Sequence, residues 1–309
     1  MGIEPSKEIW MDGEWVPWED ANVHVLTHGL HYGTGVFDGM RAYATARGPA
    51  IFRLQEHVDR LFRSAHIYGM TIPFTASEIA DVCRAAVARS GMSAGYIRPL
   101  VYRGAGDMGL VLRDIPVRVS VSMWGWGTYL GDDAVKFGAR VRVSSWRRHD
   151  PNIVPVAAKG TGPYINSALA KSEALAAGYD EAVMLNSNGF VAEGSGENIF
   201  VVRNGAVSTP PESAGILPGI TRQSVMTILA DLGYEIVERD LLRTDLYVAD
   251  EIFFTGTGAE ITPVREVDDR VVGTGAVGEV TRCVQENYFK IVSGQVDKYF
   301  PWLEFISQD

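Results

Sequence analysis

The sequence predicts an α+β fold in two domains: a smaller α/β sandwich-like domain over 1–123 and a larger pseudo-barrel domain over 136–309, joined by an interdomain loop over 124–135. Three observations predict it. At 309 residues the chain exceeds the length at which one hydrophobic core usually stops growing. Strand-like segments come in runs rather than alternating one for one with helices, which favours antiparallel sheet. Finally, Trp124-Gly-Trp-Gly-Thr-Tyr-Leu-Gly131 is the single stretch that combines dense glycine with three aromatics, and it separates the two runs.

Taken in order, Glu8 to Pro17 reads as a hairpin turning at Asp12-Gly13, and β-rich segments recur at Val36 to Tyr43 and Ala50 to Leu54. Gln55 to Tyr68 is an amphipathic helix with Val58, Leu61, Phe62 and Ala65 inward. Thr75 and Glu78 form the capping box of a second helix, with Gly91 past its end. Strands Tyr96 to Tyr102 and Val117 to Trp124 close the first domain. Beyond the loop a fresh strand begins near Lys136 and spans Phe137 to Trp146, followed by a helix from Pro163 to Ala177 and strands around Glu181 to Leu185 and Asn198 to Val202. A helix with Thr221 as its N-cap, a strand from Glu251 to Thr255 and a long helix carrying Val277, Val280, Val284, Tyr288 and Ile291 complete the half. Strands dominate it, which fits a closed or nearly closed barrel-like sheet.

A formal charge of −10 speaks against a polyanion as partner, so nucleic acid is not expected. Apolar runs such as Ile199 to Val202 and Ile252 to Phe254 fall far short of the roughly 20 residues that span a bilayer, and the charged start of the chain has no signal-peptide core. The expectation is a cytoplasmic protein without membrane partners. Cys83 and Cys283 lie in no metal or redox pattern and read as inert. His28 and His31 lack a third ligand, so no metal is expected.

Gly104, Gly106 and Gly109 satisfy GxGxxG, yet Leu110 to Pro116 leads into a strand where a dinucleotide site needs a helix. Gly194-Ser195-Gly196 lacks the five-residue form of a nucleophile elbow. Lysine is more informative, with only six among 28 basic residues. Five look like solvated helix or tail positions. Lys159 stands between the apolar Val154 to Ala158 and the glycine-rich Gly160-Thr-Gly162-Pro163, where a desolvated amine becomes a nucleophile for a carbonyl; a lysine snorkelling to the surface is the alternative. Two segments look built for phosphate: Gly215 to Arg222, which opens a helix, and Gly256-Thr257-Gly258 after a strand. A lysine nucleophile with two phosphate-sized cups points to pyridoxal 5'-phosphate.

His28 to Thr34, Val36 to Arg41, Tyr96-Ile-Arg98-Pro-Leu100, Ser145-Trp146 ahead of Ala158-Lys159, Glu193 to Ile199, Leu217 to Arg222 and Gly256 to Pro263 together resemble the branched-chain amino-acid aminotransferases, fold-type IV pyridoxal-phosphate enzymes. The resemblance implies that Lys159 forms the Schiff base with the cofactor and shuttles the substrate Cα proton. It also implies that Tyr164 meets the cofactor phenolate and Glu193 the ring nitrogen, a choice over Glu197 that the bare sequence leaves open. Arg60, Ile220, Thr221 and Thr257 would grip the phosphate, with Leu217 and Gly256 lining the cofactor. For substrate it implies Phe37, Tyr96, Trp126 and Tyr129, with Tyr32 and Leu110 from a neighbouring subunit. Gly258 and Ala259 amides would take the α-carboxylate, and Arg98 the second carboxylate of glutamate. A homodimer at least follows, with a higher homo-oligomer left open. Asp38, Pro163, Gly258 and His149-Asp150-Pro151 depart from the family's usual residues.

The expected reaction moves an amino group between leucine, isoleucine or valine and 2-oxoglutarate. Rival readings are an (R)-amine or D-amino-acid transaminase or an aminodeoxychorismate-type lyase of the same fold, and, from another class, a non-catalytic pyridoxal-phosphate-binding protein.

Overall fold

The computed structural model describes residues 3–127 and 130–307. The chain divides into two compact units, the first made of Met1–Gly127, Ala158–Pro163 and Lys290–Asp309, the second of Thr128–Ala157 and Tyr164–Phe289. Neither unit is one continuous segment. The predicted division near residue 124 falls close to the first crossing, but the sequence reading keeps 136–309 together. Two stretches of it cluster with the first unit instead, because Leu303–Phe305 pairs antiparallel with Gly48–Phe52 and Phe37 N–H donates to Lys159 C=O.

In the first unit the strand order is Leu303–Phe305, Gly48–Phe52, Met40–Thr45, Gly95–Arg103, Val117–Gly125, Glu8–Met11, Glu14–Pro17. Every pairing along this path is antiparallel, as the runs of strands led one to expect. Gly35–Phe37 adds to Gly95–Arg103 off the path. The hairpin turns on Asp12 (φ 51°) and Gly13 (φ 109°), the positive-φ pair that a two-residue loop demands. Two helices, Leu54–Ile67 and Ala76–Ser90, cover the sheet. Val58, Leu61, Ala65, Ile79, Cys83 and Val87 pack with Ile97, Val101, Val119 and Val121 in one core. The second helix has the predicted capping box, Thr75 with Glu78, and ends on Gly91 in the left-handed region.

The second unit holds a sheet ordered Val191–Gly194, Glu181–Leu185, Ala139–Val143, Glu260–Val267, Glu251–Gly256, Asn198–Arg203, Ala206–Thr209, Ile236–Glu238. Ala139–Val143 pairs in parallel on both sides, and the pair Ala206–Thr209 with Ile236–Glu238 is parallel too. Gly194 N–H donates to Glu197 C=O at 2.7 Å, so the turn that joins Val191–Gly194 to Asn198–Arg203 curls the first strand back toward the sixth. The outcome is the nearly closed, half-barrel sheet expected. Its interior is aliphatic, with Val141, Val143, Val183, Ile199, Val201, Ile252 and Val264.

The strand expected from Phe137 to Trp146 is corrected. Asp132–Phe137 is a short helix, with two acids in its first turn, and Gly138 (φ 89°) breaks it before the strand Ala139–Val143. Lys171, expected to be solvated, donates to Glu181 Oε2 (2.7 Å) and to Asp180 C=O (2.6 Å). No helix among the described residues is long and apolar enough to cross a membrane.

Candidate active site

In the first unit the chemistry gathers around the end of Gly35–Phe37. Phe37 N–H donates to Lys159 C=O (2.9 Å), and Lys159 N–H donates to Ser64 Oγ (3.0 Å), so the backbone is held on both sides of a half-buried lysine. Its Nζ lies 5.1 Å from the Phe37 ring centroid, within cation–π reach. The next residue, Asp38, is fully buried and accepts four hydrogen bonds: from Gly39 N–H (2.7 Å), His57 Nδ1 (2.7 Å), Arg60 Nε (2.7 Å) and Arg60 Nη2 (2.8 Å). Burial pushes this carboxyl up, but the Arg60 guanidinium and His57 beside it more than reverse that and hold it well below the usual carboxylate range. For His57 burial is the larger effect and pushes the imidazole down, with Asp38 opposing. His57 is therefore neutral at pH 7 and donates through Nδ1, since an ionised carboxylate can only accept.

Arg98 sits in an aromatic cage. Its Cζ is 4.4 Å from the Phe37 ring centroid, 5.0 Å from Tyr96 and 5.6 Å from Trp124. Nη2 donates to Tyr96 Oη (3.0 Å), while Nε is buried with no partner among the described residues. Trp126 meets Tyr96 edge to face at 4.7 Å, and Arg41 Nη2 holds the Trp126 and Gly127 carbonyls (2.6 and 3.0 Å). Tyr96 reaches its place only because residue 39 is glycine, where a β-carbon would fall 1.7 Å from the phenol oxygen. Tyr129 lies outside the described residues. Tyr32 and Leu110 are exposed on the surface of this unit, and the structure brings their segments together: Tyr32 Oη donates to Met108 C=O (3.1 Å), and His28 bridges Thr34 Oγ1 (2.7 Å) and Gly109 C=O (3.1 Å).

In the second unit Glu193 lies one residue before the end of the strand Val191–Gly194 and is nearly fully buried. Its Oε1 pairs with Arg148 Nη2 (2.8 Å); its Oε2 accepts from Asn198 Nδ2 (3.0 Å) and Leu217 N–H (3.1 Å). Glu197, the other acid of that turn, differs in kind. Burial first, then the Glu181 carboxylate, pushes it up to about 8, although Lys171 opposes. One is an ion-paired carboxylate, the other a carboxyl that keeps its proton at pH 7. That contrast is invisible in the sequence.

The helix Ile220–Asp231 starts from Gly219, which offers no side-chain cap, and Thr221 stands inside the first turn. Thr221 is thus not the N-cap expected from the sequence. The consequence favours an anion all the same, because uncapped first-turn amides at the positive end of a helix seek an external acceptor. Gly256, Thr257, Gly258 and Ala259 form the tight connection between Glu251–Gly256 and Glu260–Val267, with Gly256 opposite Glu260. Beside it, Thr255 Oγ1 is buried with no partner among the described residues. Tyr164 heads the helix Tyr164–Ala176 and is half-buried.

Comparison with known proteins decides the family. Residues 35–267 match the amino-transferase class IV family. This chain belongs to the class IV aminotransferases. The Pseudomonas aeruginosa branched-chain-amino-acid aminotransferase is 51% identical over 294 residues, covering 95% of each chain. The crystal structure of the Escherichia coli branched-chain amino acid aminotransferase superposes with a TM-score of 0.96 at 42% identity, covering 98% of this chain and 100% of that one. The T.th. branched-chain amino acid aminotransferase complexed with N-(5'-phosphopyridoxyl)-L-glutamate gives 0.94 at 46% identity, with the same coverage.

In this class IV aminotransferase the first unit brings together Lys159, Arg60, Phe37, Tyr96, Arg98 and Trp126; the second brings together Glu193, Leu217, Ile220 and Thr221 and places Gly256, Thr257, Gly258 and Ala259 in one turn. Sequence reasoning passed over His57, Arg148 and Asn198, and noted Asp38 only as a departure. For Asp38 a signal existed, an acid set among the apolar Val36, Phe37 and Met40, where a lone charge is costly. Arg148 sits in a polar run, Arg147-Arg148-His149-Asp150, and gave none.

Proposed function

We propose that this class IV aminotransferase uses pyridoxal 5'-phosphate to move amino groups between branched-chain L-amino acids and 2-oxoglutarate, giving branched 2-oxo acids and L-glutamate. The donor set fits the cofactor: a lysine amine over an aromatic ring, a buried guanidinium, an ion-paired carboxylate and an uncapped helix start. When bound, pyridoxal phosphate supplies an aldehyde to carry the amino group and a ring to delocalise the electron pair left on the substrate Cα. The residues of this chain do the rest. Lys159 would hold the cofactor aldehyde, and its Nζ would take the substrate Cα proton and return it. Glu193, ion-paired with Arg148 and fixed by Asn198 and the Leu217 amide, would face the ring nitrogen and keep its proton there. Tyr164 would donate to the ring oxygen. Arg60, the Ile220 and Thr221 amides and Thr257 would hold the phosphate, and Leu217 and Gly256 would line the ring.

The observation that carries the substrate assignment is the Arg98 cage. Three rings suit a branched aliphatic side chain, while the unpartnered Nε of a caged guanidinium suits the distal carboxylate of glutamate. Phe37, Tyr96 and Trp126 line this pocket, and the Gly258 and Ala259 amides would take the α-carboxylate. Tyr32 and Leu110, 47% and 77% exposed, act in the pocket of a second copy, so the enzyme is a homodimer at least. Cytoplasmic residence is supported by Cys83 and Cys283, both free thiols.

A half-reaction screen tests the reading. Leucine should bleach the bound cofactor's long-wavelength band and 2-oxoglutarate should restore it. Bleaching by (R)-amines or D-amino acids but not by L-leucine would move the enzyme to the rival class, and no bleaching by any donor would make it a binding protein.

A further inference from the structure

Asp38 does more than neutralise a buried arginine. Helix Leu54–Ile67 presents Arg60 and Ser64 one turn apart, Arg60 fastened to Asp38 through Nε and Nη2 and Ser64 fastened to the Lys159 amide. The residue before Asp38, Phe37, holds the Lys159 carbonyl, and Asp38's own N–H donates to Pro99 C=O (3.0 Å). One short segment, Phe37-Asp38, therefore locks the backbone of the reactive lysine with one residue and the orientation of a guanidinium with the next.

His57 completes the frame. It lies three residues before Arg60 on the same helix and is 1% exposed, and its Nδ1–H meets Asp38 Oδ1, the oxygen that also accepts from Arg60 Nη2 and the Gly39 amide. With four donors on one carboxylate, Asp38 has a single available orientation, and a two-point contact fixes the plane of the guanidinium as well as its position. An arginine left to itself would give up the freedom of four rotatable bonds each time it closed on an anion.

We propose that Asp38, steadied by His57, is a positioning residue that presets the Arg60 guanidinium as an anion grip at a fixed station relative to Lys159. The inference rests on the reading that Arg60 holds the cofactor phosphate. It assigns to Asp38 and His57 an effect on phosphate recognition alone, with no contact to the ring or the substrate.

The test uses the full-length enzyme stripped of cofactor and titrated by absorbance with pyridoxal 5'-phosphate and, separately, with pyridoxal, which lacks the phosphate. Asp38→Asn should loosen pyridoxal phosphate roughly 10–100-fold and His57→Gln roughly 3–10-fold, with both variants binding pyridoxal as the parent does. In an Arg60→Gln background, Asp38→Asn should add little further loss, because the group it positions is gone. Should Asp38→Asn fail to fold, removing a carboxylate from a buried guanidinium being a severe change, His57→Gln alone decides, since the Asp38–Arg60 pair stays intact. Equal loosening of pyridoxal and its phosphate, or the same loss with and without Arg60, would overturn the proposal by making Asp38 merely structural. If Arg60→Gln itself left pyridoxal phosphate binding unchanged, the reading of Arg60 as phosphate ligand would be at fault instead.

Discussion

The two units use the same device, a buried arginine–carboxylate pair, in opposite senses. In the first unit the carboxylate of Asp38 is the fixed element and the cation of Arg60 is proposed to meet the ligand. In the second unit the cation of Arg148 is the fixed element and the carboxylate of Glu193 is proposed to do so. The difference teaches that a buried pair is not a unit of stability to be read from its distance. Such pairs roughly cancel their own desolvation cost, and what they gain is a charge with a set direction. Which partner faces the ligand follows from the other contacts: Asp38 is saturated by Gly39, His57 and Arg60, and Glu193 is aimed by Asn198 and the Leu217 amide.

The most severe way to probe the first unit is at the amine itself. Lys159→Ala should leave the fold intact and lower turnover by at least roughly 10²–10⁴-fold, the worth of the proton transfer alone. Borohydride reduction and peptide mapping of the parent should place the pyridoxyl group on Lys159, and a label on another lysine would refute the assignment.

Setting the two pairs against each other gives the next effect. Glu193→Gln should cost roughly one to two decades in turnover with little change in cofactor affinity, because a neutral amide cannot keep the ring nitrogen protonated. Arg60→Gln should do the reverse, loosening cofactor while sparing the rate at saturation. Single-turnover rates at saturating cofactor separate the two. Like responses from both variants would break the comparison.

A change of comparable or smaller size is expected at Arg98, the proposed substrate cation. Arg98→Ala should slow the glutamate half-reaction by roughly 1.5–3 kcal/mol, one to two decades, and the leucine half-reaction much less. Stopped-flow traces with each donor report this, and an equal loss for both would make Arg98 structural.

The smallest effect concerns stability. Glu197 is raised to about 8 by burial and by the Glu181 carboxylate, so the folded chain keeps a proton there that the unfolded chain has released by about pH 6. Its contribution is fully present below the ordinary glutamate value near 4.5 and is lost as pH rises through about 8. Glu197→Gln should therefore flatten the fall in melting temperature between pH 5 and pH 9. A parallel shift of the whole curve would show that the carboxyl does not titrate in that window.

Local chemistry made much of the fold legible. The Asp12-Gly13 turn, the Thr75/Glu78 capping box and the inward face of Val58, Leu61, Phe62 and Ala65 are decided by neighbours in sequence, and each stands where the pattern put it. What escaped was decided by distant partners. Asp132–Phe137 is too short for a helical period to show, and Glu260–Val267 and Val191–Gly194 are buried strands whose flanks carry no alternation. The candidate site divides the same way. The sequence singles out Lys159 by its glycine-rich setting and the two proposed phosphate cups by their glycine turns, while His57 and Arg148 owe their places to residues 19 and 45 positions away, which no spacing rule connects.

The strand Leu303–Phe305 is hydrogen-bonded along Gly48–Phe52, Ile306 N–H donates to Pro49 C=O at 2.8 Å, and Arg84 is bridged to Glu304 at 2.8 Å. During synthesis the first unit therefore waits, with one sheet edge bare, until everything between has left the ribosome. An exposed edge is where a nascent chain pairs with the wrong neighbour. A stop codon a few residues upstream of Leu303 would remove nothing from the proposed catalytic groups, yet would leave that edge permanently open to aggregation.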